Sequence, residues 1–193
     1  MNRFVQVIGV LSVSVMLFAH AEAAMVMPLN VEEMARRADK IFVGTCLKVE
    51  REVNAQGIPV LTVTFAVSEG LKGAVGNTVT FQQLDPTPQQ PANPRVRSMW
   101  SAAALAGVPM YSPGEEALLF LARAGKLGLT APIGLFQGKL PVTTTPAGKK
   151  RITNSALKKT QLTAVPLPAP GKDAQYEQFV AAIRAMARPA QAK

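Results

Sequence analysis

Ile41-Phe42-Val43-Gly44-Thr45-Cys46-Leu47-Lys48-Val49 decides the fold class of this chain. Ile41, Val43, Leu47 and Val49 fall at alternate positions, which places them on one face of an extended strand spanning Lys40 to Glu50. Leu61, Val63, Phe65 and Val67 repeat the alternation. Asn54-Ala55-Gln56-Gly57 supplies turn residues between the two runs, so a hairpin is predicted. Leu71-Lys72-Gly73 and Gly76-Asn77 then lead into a third strand, Thr78 to Leu84, with Val79 and Phe81 turned inward.

Upstream, Asn30 and Glu33 have the spacing of a helix N-terminal cap, and Val31, Met34, Ala35 and Ala38 recur at helical intervals. A short amphipathic helix over Val31 to Ala38 is predicted. Downstream, Asp85 to Arg97 carries Pro86, Pro88, Pro91 and Pro94, which exclude a central strand and read as a stiff solvated loop. Ser101 to Ala106 reads as a helical turn. Pro113-Gly114 is a turn, and Ala117 to Ala122 is a continuous apolar run of the kind buried on both faces. Leu127 to Ala131 and Leu135 to Val142 are predicted strands, with Gly138 a candidate bulge. Pro146-Ala147-Gly148 turns into a basic segment. After Pro166, Pro168 and Pro170 comes a last helix, capped by Asp173, with Tyr176, Phe179, Val180, Ile183 and Met186 on one face. Short strands separated by turn signals, with small helices at both ends, predict a mainly β fold. A closed or nearly closed barrel is the first choice and a sandwich the second.

The N-terminus has the grammar of an export signal. Asn2 and Arg3 precede a nearly uncharged apolar run from Phe4 to Ala19. Ala19-His20-Ala21 and Ala21-Glu22-Ala23 both have the small-x-small spacing of a cleavage site, and the expected cut follows Ala23. The apolar run is shorter than the roughly 20 residues of a spanning helix. Residues 1–23 are thus read as a signal peptide, 24–163 as the barrel domain, and 164–193 as a proline-rich linker and helix packed on that domain. The mature chain would be periplasmic or extracellular. Removing His20 removes the only histidine, which excludes serine-histidine triads, cysteine-histidine dyads and imidazole metal sites. Cys46 is also alone; it can form no internal disulfide, and its apolar run predicts a buried, inert thiol.

Charge is regional. The net charge of +9 survives removal of the signal, since Arg3 and Glu22 cancel. From Ala117 to Gly171 there is no Asp or Glu, yet Arg123, Lys126, Lys139, Lys149, Lys150, Arg151, Lys158 and Lys159 fall there.

Four motifs carry a resemblance: Ala38-Asp39-Lys40-Ile41-Phe42-Val43-Gly44-Thr45, Leu71-Lys72-Gly73, the stretch from Gly107 to Leu121, and Gly134-Leu135-Phe136-Gln137-Gly138-Lys139. In this order they resemble a family of secreted bacterial proteins of uncharacterised function. More distantly, the layout is similar to the OB-type barrel of metalloproteinase inhibitors and netrin-like modules. The resemblance implies an OB-type barrel. Inhibition of that kind does not carry over, because those inhibitors chelate the protease metal with an N-terminal cysteine, whereas this mature chain begins Ala24-Met25-Val26-Met27-Pro28.

Several constellations invite chemistry. Ser155 and Lys158 have the Ser-x-x-Lys spacing of penicillin-binding enzymes, without the partner motifs of that class. Glu115 and Glu116 are adjacent carboxylates, but neighbours in a strand point to opposite faces. Met25 and Met27 lack further soft ligands nearby for a copper site. Lys149, Lys150, Arg151, Lys158 and Lys159 remain as a polyanion-binding candidate, with no aromatic stacking platform of the kind single-stranded nucleic acid uses. The expected function is a non-enzymatic, exported binding or envelope-associated module without cofactor or metal. Its expected partners are anionic envelope polymers, lipid head groups or another exported protein, and not nucleic acid. The alternatives are a Ser/Lys or carboxylate-dependent hydrolase and a loop-based protease inhibitor.

Overall fold

The computed structural model describes residues 29–87, 107–152 and 174–187. The signal segment and its cleavage site, Met25 and Met27, most of the proline-rich loop, the 101–106 turn, Ser155, Lys158, Lys159, the three linker prolines and Asp173 lie outside those residues.

Helix α1 (Val31–Arg37) begins where Asn30 Oδ1 accepts the Glu33 N–H at 2.7 Å. Its C-terminal carbonyls of Ala35 and Arg36 accept from Lys72 Nζ at 2.8 and 3.0 Å, a cation on the negative end of the helix. Two 14-residue strands follow, β1 (Lys40–Val53) and β2 (Pro59–Lys72), then β3 (Thr78–Leu84) and β4 (Glu116–Leu121). Next come β5 (Lys139–Thr144), β6 (Lys150–Ile152), the two-residue β7 (Ala174–Gln175) and helix α2 (Tyr176–Ala187). The strands make one antiparallel sheet in the order β3-β2-β1-β4-β5-β6-β7. The mainly β class, the two flanking helices, the β1–β2 hairpin and the turn at Asn54 are as expected from sequence. Asn54 Oδ1 accepts from the N–H groups of Gln56 and Ile58, which closes that turn.

The sheet ends in two edges rather than closing on itself. Its curvature comes from three irregularities in the β1–β2 ladder. At one of them Cys46 faces Phe65 and Lys48 faces Thr64, so Leu47 has no partner. That bulge reverses the alternation. Ile41 and Val43 face the helices as expected, but Leu47 is 53% exposed and Val49 packs against the opposite core. Gly44 sits where a Cβ would lie 2.4 Å from the carbonyl oxygen of Ala66, so the two strands approach closely only with glycine there.

Most burial divides into two cores on the two faces of the central strands, and a small third cluster joins Ile58 and Val60 to Leu84 and Leu129. One joins α1 and α2 to Ile41, Val43, Leu118, Phe120, Leu140 and Ile152. The other gathers Phe42, Cys46, Leu61, Val63, Phe65, Val79, Phe81, Tyr111, Ala117 and Leu119 inside the bend of β1, β2 and β3. Strand β4 serves both, and Ala117 to Leu121 is buried throughout, as the unbroken apolar run predicted. On α2, Phe179, Val180 and Ile183 are buried, and Tyr176 and Met186 pack beside them.

Two predicted strands take other forms. Leu127 to Ala131 is a turn with Gly128 at φ +75°, and Leu129 contributes one isolated bridge to Gln82. Leu135–Gly138 is a 3-10 turn instead of a strand with a bulge. Gly134 and Leu135 adopt left-handed φ of 67° and 59°, which reverses the chain there. A Cβ on Gly138 would lie 2.4 Å from Ile133 O, so glycine lets the turn fold onto the preceding residues.

Phe65 is the hub of the second core. It meets Phe42 and Tyr111 edge-on at 5.9 and 5.7 Å and Phe81 at 6.4 Å between ring centroids. Replacing it by alanine should cost about 3–5 kcal/mol, measured as a shift in urea midpoint; a loss below about 1 kcal/mol would mean that this core tolerates a cavity.

Candidate functional site

The basic segment is acid-free in sequence but not in space. Lys150 Nζ lies 2.6 Å from Glu116 Oε1 and 5.5 Å from the centre of the Tyr176 ring. Lys139 Nζ lies 2.7 Å from Glu115 Oε1, a charge contact without hydrogen-bond alignment, and donates to Met110 O at 2.5 Å. Its ammonium also stands 4.6 Å over the Tyr111 ring. Arg123 reaches Asp39 at 3.4 Å. The partners lie outside the acid-free region, just before β1, on β4 and just before β4. Antiparallel pairing sets Glu116 opposite Val142, which in turn faces Ile152 on β6, two residues past Lys150.

Of the five residues singled out from sequence, three are described. Lys149 is exposed in the Thr145–Lys149 turn, which is closed by the Thr145 and Gly148 N–H bonds to Lys149 O and Thr145 O. Arg151 is exposed on β6 opposite Thr143. Lys150 alternates with them and turns back toward α2. The structure thus keeps Lys149 and Arg151 on an outer surface and commits Lys150 to the fold. Lys158 and Lys159 lie outside the described residues.

Glu115 and Glu116 diverge as adjacent strand positions should. Glu115 meets Lys139 beside Tyr111 in one core, whereas Glu116 meets Lys150 beside Tyr176 at the other. Tyr176 Oη donates to Glu69 Oε2 at 3.0 Å, and Arg184 pairs with the other oxygen of Glu69. These contacts tie α2 to β2 and β6. Among the described residues no cluster of three or more His, Cys, Asp or Glu could hold a metal ion. No helix among them is long and apolar enough to cross a membrane.

Sequence reasoning did not point to a second feature, an open cleft of about 510 Å³ beside β3 and the segment after β4. Its walls include Leu84, Val108, Leu129, Ile133 and Leu135, with Arg123 and Thr130 among the lining residues. Gln83 also lines it. That side chain is 1% exposed, and its Nε2 donates to Pro109 O at 2.8 Å. Its Oε1 is buried without a hydrogen-bond partner, a deficit of about 1–3 kcal/mol for a neutral polar atom. The sequence feature that could have indicated it is the pair Gly125 and Gly128, which bracket a turn where a strand was expected.

No protein-family model matches this chain, and comparison with curated proteins and with solved structures gives no match either.

Cys46 is 1% exposed, and its Sγ faces Lys48 O at 3.8 Å. Burial, and then the Glu115 charge, push the thiol pKa up, so the protonated, unreactive form prevails at neutral pH. Labelling of native protein by a thiol reagent should be slow and should become fast in urea. Rapid native labelling would contradict this burial. Both tyrosines of the chain are likewise shifted upward, chiefly by burial, with Glu115 near Tyr111 and Glu69 on Tyr176 adding to it. Unfolded tyrosines ionise around 10.0. Their contribution to stability is therefore complete below that pH and is lost as pH rises toward the folded values. Absorbance of tyrosinate at pH 10 should be near zero in native protein and substantial in urea; equal signals would refute the packing of both rings.

Proposed function

We propose that this chain is an exported, non-enzymatic binding module. In this reading it acts in the periplasm or outside the cell, where it contacts anionic envelope polymers or lipid head groups. The supporting observation is the outer end of the β5–β6 hairpin, where Lys149 and Arg151 are exposed beside the exposed Thr143 and Thr144. Cations interleaved with hydroxyl groups suit carboxylate, sulfate or phosphate esters, since ammonium and guanidinium donate charge-assisted bonds and hydroxyls add neutral ones. Lys158 and Lys159, outside the described residues, belong to the proposal on sequence grounds alone, and the signal grammar of residues 1–23 supplies the compartment. Nucleic acid and a resident cofactor are not part of the proposal.

The proposal takes the scaffold as a nearly closed OB-type barrel of the kind found in the metalloproteinase inhibitors and netrin-like modules it distantly resembles. Supporting this, Thr130 N donates to Gln82 O at 2.8 Å, and Leu129 bridges Gln82 in parallel. Leu121 and Pro132 also pair. The contacts to Gln82 bring the segment after β4 against β3 at one point of the open side, and the Leu121–Pro132 bridge folds that segment back along β4.

Exposed charges act through solvent, so association should weaken with salt as the screening length falls from roughly 10 Å at 0.1 M to about 3 Å at 1 M. Binding to phosphatidylglycerol vesicles and to polygalacturonate can be followed by sedimentation across that range. Lys149→Gln with Arg151→Gln should weaken binding and leave the thermal midpoint nearly unchanged. Lys150→Gln should instead lower the midpoint, because it leaves Glu116 without its cation. Salt-independent binding, or full binding by the double variant, would remove the basic surface from the function.

A further inference from the structure

We infer that the cleft beside β3 binds a monomeric anionic amphiphile, a single hydrocarbon chain ending in a carboxylate or similar group. Three observations on this cleft point to that chemistry. Its volume of about 510 Å³ lies within the range of small-molecule sites, roughly 300–1,000 Å³. Its walls are mostly hydrocarbon, from Leu84, Leu129, Ile133 and Leu135, and a polar ligand would gain little there. Phe136, next to the lining residue Leu135 in the chain, is 42% exposed, so the apolar character continues onto the surface.

The charge complements an anion. Arg123 lines the cleft and is 87% exposed. Its pairing with Asp39 is long, 3.4 Å, and an exposed ion pair of that length holds a guanidinium weakly. Lys126 is exposed on the same turn, which contains no carboxylate. A chain in the cleft would place its head group at this cationic lip. A bilayer lipid is a poorer occupant, because a concave site must extract the chain from its neighbours before it can close on it.

The test is an amide chemical-shift titration of the full-length chain with decanoate below its micelle concentration, with butanoate and decyltrimethylammonium as controls. Decanoate should give saturable shifts at Leu84, Val108, Thr130, Ala131 and Ile133 to Leu135; the short and the cationic probes should not. Arg123→Gln should weaken decanoate roughly fivefold while keeping the folded spectrum. Ala131→Trp, which fills the cleft, should abolish saturation. Equal binding of decanoate and decyltrimethylammonium, unchanged affinity in Arg123→Gln, or shifts seen only with phosphatidylglycerol vesicles would each overturn the inference. Failure here leaves the hairpin surface untouched, since Lys149 and Arg151 do not line the cleft.

Discussion

Strand β4 has no solvent face, and the rest of the molecule is arranged around that constraint. Ala117, Leu118, Leu119 and Phe120 are fully buried, and Leu121 nearly so. An extended strand turns successive side chains to opposite sides, so a run of five apolar residues needs cover on both. The helices and β5 cover Leu118 and Phe120; the bent β1–β2–β3 layer covers Ala117 and Leu119. Neither layer suffices alone. The bulge at Leu47 and the close approach at Gly44 let β1 and β2 curve into the second cover.

The same arrangement governs the charges. Glu115 and Glu116 enter β4 from solvent and are carried to its two faces, where each meets a lysine delivered by β5 or β6. Each pair is partly buried and stacked on a tyrosine. A regional excess of positive charge in the sequence thereby becomes two internal pairs and a smaller outer surface. The polar groups at the edges of the cores fasten α2 and β5 to the sheet, and contacts with a ligand are left to the hairpin turn and to the cleft beside β3.

Much of the fold was legible because periodicity and capping are local. Asn30, the Leu61 to Val67 alternation, the Ala117 run and the α2 face each act within a few residues. What escaped was set by distant partners. Leu47 alternates correctly in sequence, yet a bulge against β2 turns it outward. Leu135 to Gly138 carries strand-like residues, but left-handed backbone at Gly134 and Leu135 and the fit of Gly138 against Ile133 convert them to a turn. The candidate site was legible in part. Basic residues are plain to see, whereas the pairing of Lys150 with Glu116 depends on strand order, and the cleft depends on how a turn after β4 meets β3.

Native-state hydrogen exchange tests the doubly covered strand most directly, because amide protection reports how much structure must open around each residue. If both covers are needed, the amides of Ala117 to Leu121 and of Ile41 to Val43 that are bonded within the sheet exchange only by global unfolding. Their opening free energies should then equal the stability measured by denaturant. Exchange of β4 amides at free energies well below that value, with β2 and β3 still protected, would show that one layer holds without the other and would contradict the account.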